Sequence, residues 1–521
     1  MSAYAANRAS SLALRQLGDS MFVALLTLLA GLWNLAGPGM WWDEGWTLSV
    51  ARSWVERGLY GRLQLGQPAP PGLEAAISVT APVALGMRLF GVGLWQGRLA
   101  GVLFLAAALA LLFELARRLY NRRVAWAALF VLLLTPMHPQ LHPLLNGRQV
   151  LAETPMLMEL LLGYLALLAA LRGRRAWILA AALCWGLALA TKLQAQPFWL
   201  ASLALPLLAA LLRRRWADAA LIAVGLAGAL LAARGVDWLR GALLAGHTLP
   251  LVPISGLYEV MAFVLTSFNR AVALRMTLLL ALPTLFGLIY AALGVRAIGL
   301  SAAEPGGEAW PRDLLRLALL GMAGSWLAWY TLLSVGVPRY LYPATFFGSV
   351  FVAALLHDIT GGFDARVALA QAAGVLRGRF SRRGMSTWLA LLALPLMVMI
   401  TLFTLNRYYL NNTDQSAQQA AAWLNIATPP AARIETYESE LHFLLDRPYH
   451  FPPDQLHVEL NRRSLLHQDV AIDYDALAAD PDYLVVGQFA RENRLYQPAI
   501  ERGDFRAVQT FGEYVIYQRV R

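Results

Sequence analysis

The chain has one cysteine and one lysine, and charge of either sign is scarce along most of its 521 residues. A single thiol, Cys184, set inside an apolar run, excludes an internal disulfide and a cysteine metal cluster. Charged residues make up 14% of the chain, against about 25% in a soluble domain. That shortage excludes an ordinary soluble fold, because 58% of the residues are hydrophobic. With Lys192 the only lysine, the net charge of +11 is carried by arginine. A nucleic-acid-binding stripe or tail is excluded too, since the arginines stand in short clusters between apolar runs. No internal repeat or low-complexity tract is present.

What is there instead is a series of apolar runs from Met21 to about Phe403, of the length that crosses a bilayer, about 18 residues or more. Arg8 and Arg15 precede the first run. No small-residue cleavage pattern follows it, so the first run reads as an uncleaved span over about 21–39. Later spans are expected at about 95–116, 124–137, 153–171, 176–191, 197–212, 217–234, 274–293, 314–333, 343–357 and 386–405. The loops between alternate pairs hold Arg117, Arg118, Arg122 and Arg123; Arg172, Arg174 and Arg175; Arg213, Arg214 and Arg215; Arg296, Arg312 and Arg316; and Arg366, Arg377, Arg379, Arg382 and Arg383. All five clusters fall on one side if the N-terminus is cytoplasmic. The agreement requires Gly72 to Phe90 to lie as a juxtamembrane helix in the outer interface.

The reading is a polytopic α-helical membrane protein of about 11 spans, residues 1–405, with a first outside loop at about 40–97. Residues 406–521 gain charge, and their apolar runs shrink to strand length. Strands are expected at Arg433 to Tyr437 and Tyr483 to Val486, a short helix at Glu440 to Leu445, and a hairpin of Phe505 to Gln509 with Tyr514 to Gln518 around Phe511-Gly512-Glu513. This describes a small α/β domain outside the membrane.

The chemistry-bearing residues gather on the outside. Trp41-Trp42-Asp43-Glu44-Gly45-Trp46 leaves the first span. The tryptophans fit an aromatic belt. A carboxylate at the edge of a low-dielectric region is costly without a role or partner, and partial burial there suits a general base. Glu153 is a second acid, at the outside start of a span. Arg148, Lys192 and Arg339 sit at outside span ends, where each either grips an anion or snorkels to headgroups. Tyr340 and Tyr342 either line the same cavity or join the aromatic belt. His138 and His142 are four residues apart, a zinc-compatible spacing on a helix, but Pro139 and Pro143 oppose a regular helix. No metal ligands are assigned and no cofactor is certain. A divalent cation on Asp43, Glu44 and Glu153 stays open, because carboxylates suit hard cations. Asn411-Asn412-Thr413 matches a short, common glycosylation sequon.

In this order and placement the chain resembles the GT-C superfamily of polyprenyl-phosphate-sugar-dependent glycosyltransferases, most closely the bacterial branch related to protein O-mannosyltransferases and aminoarabinose transferases. The resemblance rests on Asp43-Glu44 after the first span, Pro70-Pro71, Arg98-Leu99, Arg117-Arg118-Leu119-Tyr120, Gly147-Arg148 with Glu153-Thr154-Pro155, Thr191-Lys192, and Pro338-Arg339-Tyr340-Leu341-Tyr342-Pro343. It implies inverting transfer of a sugar from a lipid-phosphate donor to an acceptor hydroxyl (protein, lipid or cell-surface glycan) at the outer face of the plasma membrane, in the cell envelope. It gives Asp43 the role of base, with Glu44 orienting it or binding the acceptor, Glu153 on sugar hydroxyls, and Arg148, Lys192 and Arg339 on the leaving phosphate. Related enzymes often carry a lysine just before the Pro-Pro segment; here Gln67-Pro68 stands there, which shifts phosphate binding to the three other cations. A second functional class, a transporter or flippase of a lipid-linked substrate, would favour internal repeats and mid-span charges.

Overall fold

The structure is a computed structural model that describes residues 18–70, 72, 76–245, 256, 259–260, 262–300 and 309–520. Glu74 and Pro71 of the juxtamembrane segment lie outside the described residues. A helix stands at each of the eleven expected span positions. Among the described residues six helices are long and apolar enough to cross a membrane, or seven if one bent pair counts as a single span. Others fall short of the expectation. The Arg122–Leu134 helix has 13 residues, about 20 Å of rise against a hydrocarbon core of about 30 Å.

Local chemistry explains the departures. The first helix, Gly18–Leu32, stops well before residue 39. Asn34 takes a left-handed φ of 46°, and Gly37 and Pro38 follow. The expected span at 274–293 is instead two helices, Ser267–Leu280 and Leu282–Leu300, that meet at 80°. Pro283 has no N–H to continue the ladder and breaks it. The Ile77–Phe90 helix has 14 residues and packs between Trp42–Arg57 and Leu94–Leu119.

Arginine-rich turns gather at one end of the bundle. Arg122 pairs with Asp19, Arg123 donates to the Gly362 carbonyl, and Arg316 donates to the Leu119 carbonyl. A cavity of about 1180 Å³ lies there, lined by Val23, Phe130, Arg123 and Arg366, and holds none of the expected site residues.

The opposite end carries the C-terminal domain. Its five-stranded sheet runs in the order Tyr449–His450, Ile434–Thr436, Tyr483–Val486, Tyr514–Arg519, Phe505–Phe511. The first three strands are parallel, with Ile434 opposite Tyr483, and the last two are antiparallel, with Val485 opposite Ile516. Buried Ile434, Leu484, Val485 and Ile516 form its core. The domain grips the Trp42–Arg57 helix and the segment that follows it. Arg52 reaches the Phe443 and Leu445 carbonyls, and buried Arg62 pairs with Asp454 at 2.6 Å.

Candidate active site

Four charged side chains meet where this domain sits on the bundle, and each is placed by an element end. Asp43 stands in the first turn of Trp42–Arg57. Glu153 opens Glu153–Leu171, where free backbone N–H groups favour a carboxylate. Lys192 terminates Trp177–Thr191, where the helix dipole favours a cation. Arg339 lies on the 3₁₀ turn Pro338–Leu341, just before the Tyr342–Ile359 helix.

The four form a continuous chain. Arg339 Nη1 donates to Asp43 Oδ2 at 2.5 Å, Arg339 Nε lies 3.3 Å from Glu153 Oε1, and Lys192 Nζ donates to the same Oε1 at 2.9 Å. Arg339 Nε makes no hydrogen bond among the described residues. Two acids thus balance two cations. Asp43 is the most open member, with 37% of its side chain exposed, against 14% for Arg339 and 4% for Glu153.

The chain borders a cavity of about 1240 Å³. Val79, Leu193, Phe198, Leu200, Trp329 and Leu333 give it an apolar wall. Tyr340 closes the charged end, its ring 5.9 Å from both Lys192 Nζ and the Arg339 guanidinium carbon. Trp42, Trp46 and His457 give another stretch of its border an aromatic face. The cavity thus brings apolar, charged and aromatic surface to one place.

Asp43, Glu153, Lys192, Arg339 and Tyr340 are therefore brought together. Glu44, Arg148 and Tyr342 are not. Glu44 is fully buried and turned to Arg98, which binds its two oxygens at 2.7 and 2.8 Å. Arg98 also donates to the carbonyls of Leu35, Pro38 and Gly39. Glu44 and Arg98 thus pin the segment that leads into the helix, and Glu44 faces Arg98 and not the cavity. Arg148 donates to the Asn34 carbonyl at 2.6 Å and lies 4.2 Å over the Tyr409 ring, away from the cavity. Tyr342 is buried against Phe346.

The histidine pair serves turns. His138 Nδ1 accepts from Gln140 N, and His142 Nδ1 accepts from Leu144 N while its other ring nitrogen faces the Leu133 carbonyl at 2.8 Å. Burial pushes the His142 imidazole down to about 4. Among the described residues no group of three acids, histidines or cysteines could hold a metal ion. Arg339 occupies the space between Asp43 and Glu153, and Arg98 holds Glu44, so these three acids do not fit a shared cation. Gln67–Pro68 pairs with Leu63–Gln64 in a two-residue hairpin whose turn residues, Leu65 and Gly66, both have positive φ. The sequence reading missed His457, because it comes from the distant domain, and it named Arg98 at the start of a span without finding its partner Glu44.

Comparison with known proteins bears on this geometry. The family model for dolichyl-phosphate-mannose-protein mannosyltransferase matches residues 76–236. The crystal structure of Cupriavidus metallidurans ArnT in the apo state superposes with a TM-score of 0.60 at 14% identity, covering 98% of this chain and 98% of that one. The same protein bound to undecaprenyl phosphate gives 0.58 at 15% identity, again over 98% of each chain. The Archaeoglobus fulgidus oligosaccharyltransferase, tethered to an acceptor peptide containing a sequon, gives 0.56 at 13% identity over 96% of this chain and 74% of that one. No curated protein matches the chain by sequence. The chain has the GT-C fold of these enzymes, as the resemblance implied: a helical multi-pass membrane bundle with a small C-terminal sheet domain.

Proposed function

We propose that the chain is an inverting glycosyltransferase that moves a sugar from a polyprenyl-phosphate donor to an acceptor hydroxyl at the outer face of the plasma membrane. The observation that carries this reading is the Asp43–Arg339–Glu153–Lys192 chain, set between an apolar wall and an aromatic one in a single cavity. The fold supports it. So do the ArnT structure bound to undecaprenyl phosphate and the Archaeoglobus AglB structure bound to dolichol phosphate and an inhibitory peptide. The five arginine clusters support a cytoplasmic N-terminus and an extracytoplasmic C-terminal domain.

In this reading the polyprenyl tail lies along Leu193, Phe198, Leu200 and Trp329. Its phosphate sits against Arg339, which can grip two oxygens at once, and Lys192, which acts as a point charge. The acceptor hydroxyl approaches from the Trp42 and Trp46 side. Asp43 takes its proton as the oxygen attacks the anomeric carbon. The bond from that carbon to the phosphate oxygen breaks, and polyprenyl phosphate leaves with the electron pair, its charge stabilised by the two cations. One displacement inverts the anomeric centre. Glu153 holds Arg339 and Lys192 in register and is within reach of sugar hydroxyls. The acceptor class (protein, lipid or cell-surface glycan) is set on the aromatic side.

The transporter or flippase reading gains nothing here, because the charges cluster at one end of the helices and not at mid-span. The test is release of polyprenyl phosphate from lipid-phosphate sugars by the purified chain, in the presence of each acceptor class. Movement of intact donor across a vesicle without release would replace this proposal by the transporter reading. Lys192→Ala and Arg339→Ala should each weaken binding of polyprenyl phosphate, and unchanged affinity in both would remove the phosphate assignment.

A further inference from the structure

His457 reaches the cavity from the C-terminal domain, in the first turns of the Asp454–Leu466 helix. Both its ring nitrogens are engaged: Nδ1 lies 2.5 Å from the Tyr437 hydroxyl, and Nε2 lies 3.0 Å from the Asn461 amide nitrogen. A neutral imidazole carries one N–H, so with Asn461 donating to Nε2 the Nδ1–H donates to Tyr437. No nitrogen remains to exchange a proton with a substrate. What the ring presents is its face, and that face lies on Trp42, with centroids 5.0 Å apart and planes 10° from parallel.

Trp42 is bound to the same domain by other atoms. Its Nε1 donates to the Tyr437 carbonyl at 3.0 Å, and its own carbonyl accepts from the Ser439 hydroxyl. At Gly45 the two backbones approach so closely that a Cβ would stand 2.2 Å from the Ser439 carbonyl oxygen. Trp42 immediately precedes Asp43.

We infer that His457 is a positioning residue of the transferase site: through Trp42 it fixes the first turn of the Trp42–Arg57 helix, and so the direction in which Asp43 enters the cavity. The C-terminal domain therefore completes the site. This rests on the transfer reaction proposed above, and its test separates the two. In the full-length protein, kcat per donor-binding site is compared for His457→Ala, His457→Gln and His457→Phe, with polyprenyl-phosphate affinity measured beside it. Misplacing a reacting group by about 1 Å can cost roughly 10²-fold in rate, so the Ala and Gln variants should lose kcat on that scale with donor affinity held. Phe, which keeps a ring on Trp42, should recover most of the loss. Wild-type kcat in the Ala variant, or a Phe variant no better than Gln, overturns the inference.

A second measurement needs no turnover. Asp43→Cys in a Cys184→Ala background is labelled with a charged thiol reagent, with and without His457→Ala. The labelling rate should change severalfold. An unchanged rate overturns the inference whether or not the protein transfers sugar. Absence of transfer by the parent protein, with a changed rate, overturns the proposed reaction alone.

Discussion

Replacing Asp43 by asparagine should tighten donor-phosphate binding while it abolishes turnover. Arg339 is held by Asp43 at 2.5 Å and touches Glu153 at 3.3 Å without a hydrogen bond from Nε. A phosphate that takes the guanidinium must take it from Asp43. Exposed ion pairs are worth about 0–1 kcal/mol, and severing a buried one costs about 3–5 kcal/mol. This pair joins a side chain 37% exposed to one 14% exposed, so about 1–2 kcal/mol of competition is a fair estimate between those limits. Removing it should lower the Kd for polyprenyl phosphate about 5- to 30-fold. Loss of the base should lower turnover about 10²–10⁴-fold. The assay is equilibrium binding of polyprenyl phosphate to purified protein in lipid discs, with transfer measured on the same preparation. Opposite movement of the two quantities separates the mechanism from damage to the fold, which lowers both. Unchanged or weaker binding in Asp43→Asn would falsify the idea that donor phosphate and base share Arg339.

Three further outcomes are expected. Glu44→Gln strands buried Arg98, so it should cost stability on the scale of a broken buried pair, about 3–5 kcal/mol; a thermal midpoint equal to wild type would refute its structural role. In a Cys184→Ala background, Ile426→Cys, 85% exposed on the C-terminal domain, should label from outside and Arg175→Cys should not; the reverse pattern would invert the topology. Burial raises the carboxyls of Glu438 and Glu440 well above the ordinary carboxylate range, and each faces a further acid. The folded state then binds more protons than the unfolded one, so stability falls as pH rises through those raised values. Buried His442 and His457 are shifted down and resist protonation, so they act below the ordinary histidine pKa of about 6.5. Between about pH 6.5 and 8 only the carboxylates among these four groups contribute, and the midpoint should drop. Glu440→Gln should flatten that slope, and an unaltered slope would reject the assignment.

Much of the bundle was legible because long apolar runs have one solution in lipid, the helix. The breaks were less so. Pro283 sits inside an apolar run that reads as one span, and only the 80° bend shows that its missing N–H ends one helix and starts another. Strands at Tyr483–Val486 and the Phe511–Tyr514 hairpin followed from short β-branched and aromatic runs around a glycine turn. At the site, Asp43, Glu153, Lys192 and Arg339 could be nominated because each lies at a helix end on one side, and ends on one side converge. The resemblance gave Asp43 the role of base, but the directions of Asp43 and Glu44 could not be read from the residues, because nothing in the segment marks it as a helix. It is a helix, on which neighbours diverge by about 100°, so one carboxylate faces the cavity and the other faces Arg98. Arg148 carried the same signal as Arg339, yet its partners, the Asn34 carbonyl and the Tyr409 ring, come from segments far away in the chain.

The placement of Asp43 follows from its two neighbours. Glu44 is fixed to Arg98, and through it to the carbonyls of Leu35, Pro38 and Gly39, so the membrane bundle holds the acid from one side. Trp42 is fixed by Tyr437, Ser439 and His457, so the C-terminal domain holds it from the other. Neither anchor alone sets the rotation of a first helical turn, whose leading N–H groups lack intrahelical partners. On the proposed reaction, a base held from both sides would need no reorganisation when substrate arrives, and pre-set geometry of this kind is where a positioned catalytic group draws much of its advantage. In the proposed reaction the group that changes partner is Arg339, which bonds Asp43, lies 3.3 Å from Glu153 and would take the incoming phosphate. On that proposal donor binding would act on the cation and leave the acid where the acceptor hydroxyl would meet it.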